Sequence, residues 1–225
     1  SDYVNHELNK GKRHEAPISF SPDGKSLFIY TENSVWKSTL DHNSQWSTPK
    51  RMNQKVNFGK NTPSVFITSD GQEIYIVSTD SKGGLGGRDI FHSTLLEDGT
   101  WDEPKNLGSK INTIYHEDAP FVTKDGTTLY FASEGHNSMG KFDIFKSVKD
   151  SAGEWQTPIN IGAPINSAGN DIYYTENESG SIAYFSSQRP GTNGYLDVYK
   201  ANYSCVNLPS TTINGYAVFA DSRQP

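Results

Sequence analysis

The chain has 225 residues, 33% of them hydrophobic and 12% aromatic, with mean hydropathy -0.67 and a formal net charge of -6 at pH 7. Acidic and basic residues are mixed along it with no Lys/Arg cluster, which disfavours a nucleic-acid partner, and no apolar stretch approaches the ~20 residues that a membrane-spanning helix needs. The aromatic content separates the chain from disordered polymers of similar polarity, and the lone Cys205 excludes an internal disulfide framework.

In chain order, the first landmark is Val4-Asn5, which reads like the end of a segment met three times further on. Next come Ile18-Ser19-Phe20, the turn Ser21-Pro22-Asp23-Gly24 and Leu27-Phe28-Ile29-Tyr30. Two further units follow the same plan. Ser64-Val65-Phe66-Ile67 and Ile74-Tyr75-Ile76-Val77 flank Ser69-Asp70-Gly71, and Phe121-Val122 and Leu129-Tyr130-Phe131 flank Lys124-Asp125-Gly126. Asp-Gly is a tight-turn dipeptide between short runs rich in β-branched and aromatic residues, so each unit opens with a hairpin. A third strand is expected at Ser34–Ser38, Asp89–Ser93, Asp143–Ser147 and Asp197–Ala201.

The strongest repeat signal comes next. Trp46, Trp101 and Trp155 are each followed three positions later by proline (Pro49, Pro104, Pro158) and, eight residues beyond that, by asparagine after a β-branched residue: Val56-Asn57, Ile111-Asn112, Ile165-Asn166. Self-similarity at about 50 residues marks a propeller or solenoid. The expected fold is all-β with very little helix: a β-propeller of four-stranded antiparallel blades over residues 1–204, with repeats at about 15–57, 61–112, 117–166 and 170–204. Four repeats are legible, and a ring of four or five blades is consistent with them. The fourth lacks a Trp-x-x-Pro segment, so Val4-Asn5 and the fourth repeat read as two halves of one outer strand, the arrangement by which toroids close with few free edges. An excised piece of a larger protein is the other reading of these ends.

Ala16-Pro17-x-x-Phe20-Ser21-Pro22-Asp23-Gly24, the Gly-rich insertion before Asp89-Ile90-Phe91, and Trp-x-x-Pro ending in Ile-Asn together resemble the TolB-like, WD-like Pro-Asp propeller repeat. The resemblance covers residues 15 to 203. It is most similar to the version in multidomain OmpA-family proteins of Bacteroidetes, including the PorE-like component of the type IX secretion system. The resemblance implies a periplasmic, outer-membrane-associated scaffold. It further implies that residues 205–225 are a linker and the first strand of a carboxypeptidase-regulatory-like domain, with any peptidoglycan binding left to a domain outside this chain.

Several groupings invite chemical readings. His14-Glu15 and His116-Glu117 stand at matching places before an inner strand, where imidazole and carboxylate could hold a metal or move protons at the channel mouth. The second and fourth repeats have Lys60-Asn61 and Gly169-Asn170 there, so the ring of ligands is incomplete. The preferred reading is structural, with the carboxylate accepting backbone N–H groups at a blade junction and no metal or cofactor. Asp89, Asp143 and Asp197 recur at the same place in successive blades and read as local turn caps. Gly83-x-x-Gly86 lacks the Gly-Lys-Ser/Thr ending of a phosphate loop.

The loops between second and third strands gather on one face and combine Arg88, His136, Met139, Arg189 and Tyr195, the preferred partner-binding surface. No nucleophile elbow or His-Glu-x-x-His appears. The function expected is a non-catalytic protein-interaction scaffold with a protein partner in the cell envelope. The alternatives are a glycoside hydrolase or lyase using Glu15 and Glu117, and a carbohydrate-binding propeller stacking sugars on Tyr115, Tyr173 or Tyr195.

Overall fold

Turn chemistry sets the frame of the computed structural model, which describes residues 16–79, 82–189 and 195–203. At each Asp-Gly tip the aspartate folds the chain back on itself. Asp70 Oδ1 accepts from Thr68 Oγ1 and the Gln72 N–H, and Asp125 Oδ1 accepts from Thr123 Oγ1 and the Thr127 N–H. Gly71 and Gly126 follow at φ of +73° and +71°, a region that a Cβ makes costly.

These hairpins grow into four antiparallel sheets. Blade 1 is β1 (Ala16–Phe20), β2 (Ser26–Thr31), β3 (Ser34–Thr39) and β4 (Lys50–Arg51). Blade 2 is β5 (Ser64–Ile67), β6 (Glu73–Ser78), β7 (Asp89–Thr94) and β8 (Lys105–Asn106). Blade 3 is β9 (Glu117–Val122), β10 (Thr128–Ser133), β11 (Asp143–Val148) and β12 (Ile159–Asn160). Blade 4 is β13 (Asp171–Glu176), β14 (Ile182–Ser187) and β15 (Asp197–Asn202), a three-stranded sheet whose edge is β15. The sequence and the structure agree on an all-β propeller, and the described residues contain four blades and no helix.

The four blades share one register. Tyr30 pairs with Val35, Val77 with Ile90, Ala132 with Ile144 and Ser186 with Val198. Inner strands β1, β9 and β13 each carry a bulge, and in β9 and β13 the bulge holds Ala119 (φ +49°) and Tyr173 (φ +61°) in the left-handed region. The inner strands surround a channel with a cavity of about 360 Å³, lined by Ile18, Phe66, Phe121, Tyr173 and their neighbours.

Apolar side chains pack between blades rather than within them. Phe28, Val35, Val65, Ile74, Ile76 and Trp101 fill the junction of blades 1 and 2. Tyr75, Ile90, Leu129, Phe131, Phe145 and Trp155 fill that of blades 2 and 3, and Tyr130, Ile144, Tyr174 and Phe185 that of blades 3 and 4. The repeated tryptophan is therefore a wedge: Trp155 of blade 3 meets Tyr75 of blade 2 edge-on at 6.5 Å. The outer strands are only two residues long and begin right after the Trp-x-x-Pro prolines, which have no N–H to give a ladder. Val4-Asn5 and residues 205–225 lie outside the described residues.

Candidate functional site

At the end opposite the hairpin tips, blades 2, 3 and 4 are built on buried carboxylates. Glu117 opens β9, is fully buried, and accepts from the Thr113 N–H (2.8 Å), Thr113 Oγ1 (2.7 Å) and Ser133 Oγ (2.7 Å). Asp171, its counterpart in β13, accepts from the Ser167 N–H and Oγ, from Ser187 Oγ and from Arg189. Each carboxylate ties the connection arriving from the preceding blade to the inner and second strands of its own. Asp89 and Asp143, at the starts of β7 and β11, hold the long loops: Oδ2 accepts the Leu85 N–H in one and the Met139 N–H in the other, both at 2.5 Å. Burial pushes the carboxyls of Glu117 and Asp143 above their ordinary range, against the pull of these hydrogen bonds.

The loops then lie on the next junction. A Cβ on Gly86 would come within 2.3 Å of the Thr113 carbonyl oxygen, and one on Gly140 within 2.5 Å of the Gly169 carbonyl oxygen. Glycine in these loops serves close backbone approach, with the Gly87 N–H donating to the Tyr115 carbonyl at 2.7 Å. Successive loops are thereby stitched into one continuous rim.

The residues expected at this rim divide into two groups. Arg88 turns inward: its Nη1 meets Oδ2 of buried Asp118 at 2.5 Å across the junction of blades 2 and 3. Burial pushes the Asp118 carboxyl up, and Arg88 opposes that shift. Arg189 also turns inward, donating to Ser187 Oγ, the Ile165 carbonyl and Asp171, with its guanidinium stacked 5.1 Å from the Phe185 ring and 5.0 Å from the Tyr199 ring. His136 is exposed, yet its Nε2–H donates to the Ile111 carbonyl and its ring packs on Phe145. Met139 and Tyr195 point outward at 55% and 65% exposure, Tyr195 Oη accepting from Asn170 Nδ2.

Of the channel-mouth set, His116 is half-buried beside Gly87, its Nδ1 without a hydrogen-bond partner among the described residues. His14 and Glu15 lie outside those residues. Among the described residues no group of three or more His, Cys, Asp or Glu side chains could hold a metal ion.

Three exposed apolar residues on the same rim lie outside the set expected to bind a protein partner: Leu85 (47%), Ile114 (75%) and Tyr115 (54%), of which Tyr115 was expected only as a sugar-stacking candidate. Leu85 stands within a run of glycines, and Ile114-Tyr115 sits in the connection between Asn112 and β9. The signal available in the sequence was an apolar residue inside an otherwise polar connection. Met139 continues this surface on blade 3 and Tyr195 on blade 4.

No protein-family model and no curated protein matches the chain. Solved structures do. The chain is similar to TolB from Acinetobacter baumannii (13% identity, TM-score 0.54, 84% of this chain and 41% of that one) and to a Penicillium chrysogenum alpha-L-arabinanase complexed with arabinobiose (16% identity, TM-score 0.51, 84% and 61%). A putative TolB from Agrobacterium tumefaciens aligns at 16% identity, TM-score 0.49, over 85% of this chain and 78% of that one. The chain thus spans about two fifths of the Acinetobacter protein and about three fifths of the arabinanase. At such identities the likeness is one of fold, and the fold shared with these neighbours is the β-propeller.

Proposed function

We propose that this chain is a non-catalytic protein-interaction module of a bacterial cell-envelope assembly, and that the loop rim is its partner-binding surface. The observation that carries the reading is the row of outward apolar side chains along one rim, Leu85, Ile114, Tyr115, Met139 and Tyr195. Exposed apolar groups gathered on a rigid frame mark a contact surface. The resemblance to OmpA-family Pro-Asp propellers supports a periplasmic, outer-membrane-associated setting, as part of a secretion system and with peptidoglycan anchoring supplied by another domain.

The glycosidase alternative needs two carboxyl groups about 5 to 9.5 Å apart, free to meet a sugar. Glu117 and Asp171 are instead buried and spend their oxygens on Thr113, Ser133, Ser167 and Ser187, while Asp118 is paired with Arg88. Among the described residues that line the channel cavity there is no carboxylate, and Glu15 lies outside the described residues.

Affinity capture from an envelope extract, read by mass spectrometry, tests the proposal. An Ile114→Asp/Tyr115→Ala variant is expected to lose the partner while keeping the wild-type unfolding temperature. Undiminished capture by that variant would remove the rim as the binding surface.

A further inference from the structure

At the hairpin-tip end of the channel the four inner strands reach one layer in the same register. Phe20 pairs with Leu27, Ile67 with Ile74, Val122 with Leu129 and Glu176 with Ala183. Three blades place an apolar residue in this layer, and blade 4 places a carboxylate. One position earlier, Phe66 and Phe121 stand on blades 2 and 3 where blades 1 and 4 carry the shorter Ser19 and Thr175. A cavity of about 390 Å³ opens here, walled by Phe20, Phe66 and Phe121, which it shares with the channel cavity, and reaching Glu176, which it does not. The Phe66 and Phe121 rings meet at 5.3 Å and 68°, so they form two walls of a corner. Phe20 is 56% exposed.

The charges on this lining reduce to one. Lys124 Nζ pairs with Glu178 Oε1 at 2.8 Å across the tips of blades 3 and 4, and Ser69 Oγ donates to the Lys124 carbonyl at 3.3 Å, which ties the tip of blade 2 to the same lip. Glu176 is half-buried and accepts from Tyr174 Oη at 3.0 Å, a bond that fixes the carboxylate and leaves its charge in place. One unpaired carboxylate on an aromatic wall disfavours an anionic ligand, and it falls short of the two free carboxyl groups that glycoside hydrolysis requires. The combination suits a cation. Phenyl faces attract an ammonium through the ring quadrupole, and the carboxylate supplies the opposite charge. Phenyl walls provide no strong hydrogen-bond acceptors, so an ammonium that carries methyl groups fits them better than one with three N–H donors to satisfy.

We infer that this cavity is a binding site for a quaternary ammonium group, its methyl groups against Phe20, Phe66 and Phe121 and its charge facing Glu176. The site lies at the end of the channel opposite the loop rim. It is independent of the reading of that rim as a partner surface.

Titration of choline into the full chain at pH 7, followed residue by residue by NMR, tests it. Saturable shifts are expected at Phe20, Phe66, Phe121 and Glu176, with the rim residues Ile114 and Tyr115 unmoved. The neutral isostere 3,3-dimethylbutan-1-ol is expected to bind about tenfold more weakly or less, since it keeps the shape and loses the charge. Glu176→Gln is expected to weaken choline by a similar factor and to leave the alcohol unchanged. Phe20→Leu alters an exposed side chain that the fold does not depend on, and is expected to weaken choline severalfold while the unfolding temperature stays at the wild-type value. Equal binding of choline and the alcohol would reduce the site to an apolar cavity and overturn the inference. So would choline affinity that survives both Glu176→Gln and Phe20→Leu, or the absence of saturable shifts at millimolar choline.

Discussion

Blades 3 and 4 use the same strands in the same register, yet Ile144 in β11 is fully buried and Val198 at the matching place in β15 is 75% exposed. Strand propensity and pairing are alike in the two, so they are not what buries the third strand. The difference is the Ile165-Asn166 segment and the neighbouring blade that cover Ile144. A blade of this protein is thus finished by what comes after it, and its stability belongs to the junction.

The strongest way to break that comparison is to cut blade 4 from blade 3. Arg189 joins them by donating to the Ile165 carbonyl while it pairs with Asp171 and stacks on Phe185 and Tyr199 of its own blade. Arg189→Ala leaves a fully buried carboxylate without its cation and is expected to cost about 3 kcal/mol or more, read as a lower midpoint in urea unfolding. Ile144→Ala comes next, at about 3 kcal/mol for a buried side chain replaced by a cavity. Val198→Ala is expected to change stability by less than about 0.5 kcal/mol, as for an exposed site. Equal losses at the two positions would mean that blade 4 is as covered as blade 3.

Asn112→Ala is expected to cost about 2 kcal/mol, because the Ile90 N–H and C=O then lose their partner inside the protein. A smaller effect is expected from Glu117→Gln, and its sign depends on pH. Burial raises the Glu117 carboxyl, so its protonated form is favoured by folding. Its contribution is fully present below the unfolded-state value and is lost as pH rises through the folded one. Stability of the wild type relative to Glu117→Gln should therefore be greatest in acid and decline towards neutral pH. A difference that is flat from pH 3 to 7 would show that the charge of Glu117 carries no burial penalty.

Much of the fold was legible in the sequence because its signals are local. Asp-Gly turns, the tryptophan and proline spacing and the aspartate that opens the third strand of blades 2 to 4 each act within one repeat. The role of Asn57, Asn112 and Asn166 was not legible, since each accepts the backbone N–H of a residue 22 positions upstream, Val35, Ile90 or Ile144, in the third strand of its own blade. The same reason separates Arg88 and Arg189 from the exposed rim: Asp118 lies 30 positions from Arg88, and only the blade junction brings them together. Met139 and Tyr195 were visible as prominent side chains in long loops. Leu85, among the glycines of the long loop before β7, and Ile114, in the short connection to β9, were hidden by surroundings dominated by glycine and polar residues.

The molecule divides into a frame that is buried and paired and a rim that is exposed and apolar. The most direct measurement is partner capture by Ile114→Asp, with its thermal midpoint set beside that of Asn112→Ala. Ile114→Asp is expected to lose the partner and to unfold at the wild-type temperature, which Asn112→Ala does not. An Ile114→Asp protein that keeps its partner, or that unfolds as early as Asn112→Ala, would contradict that division.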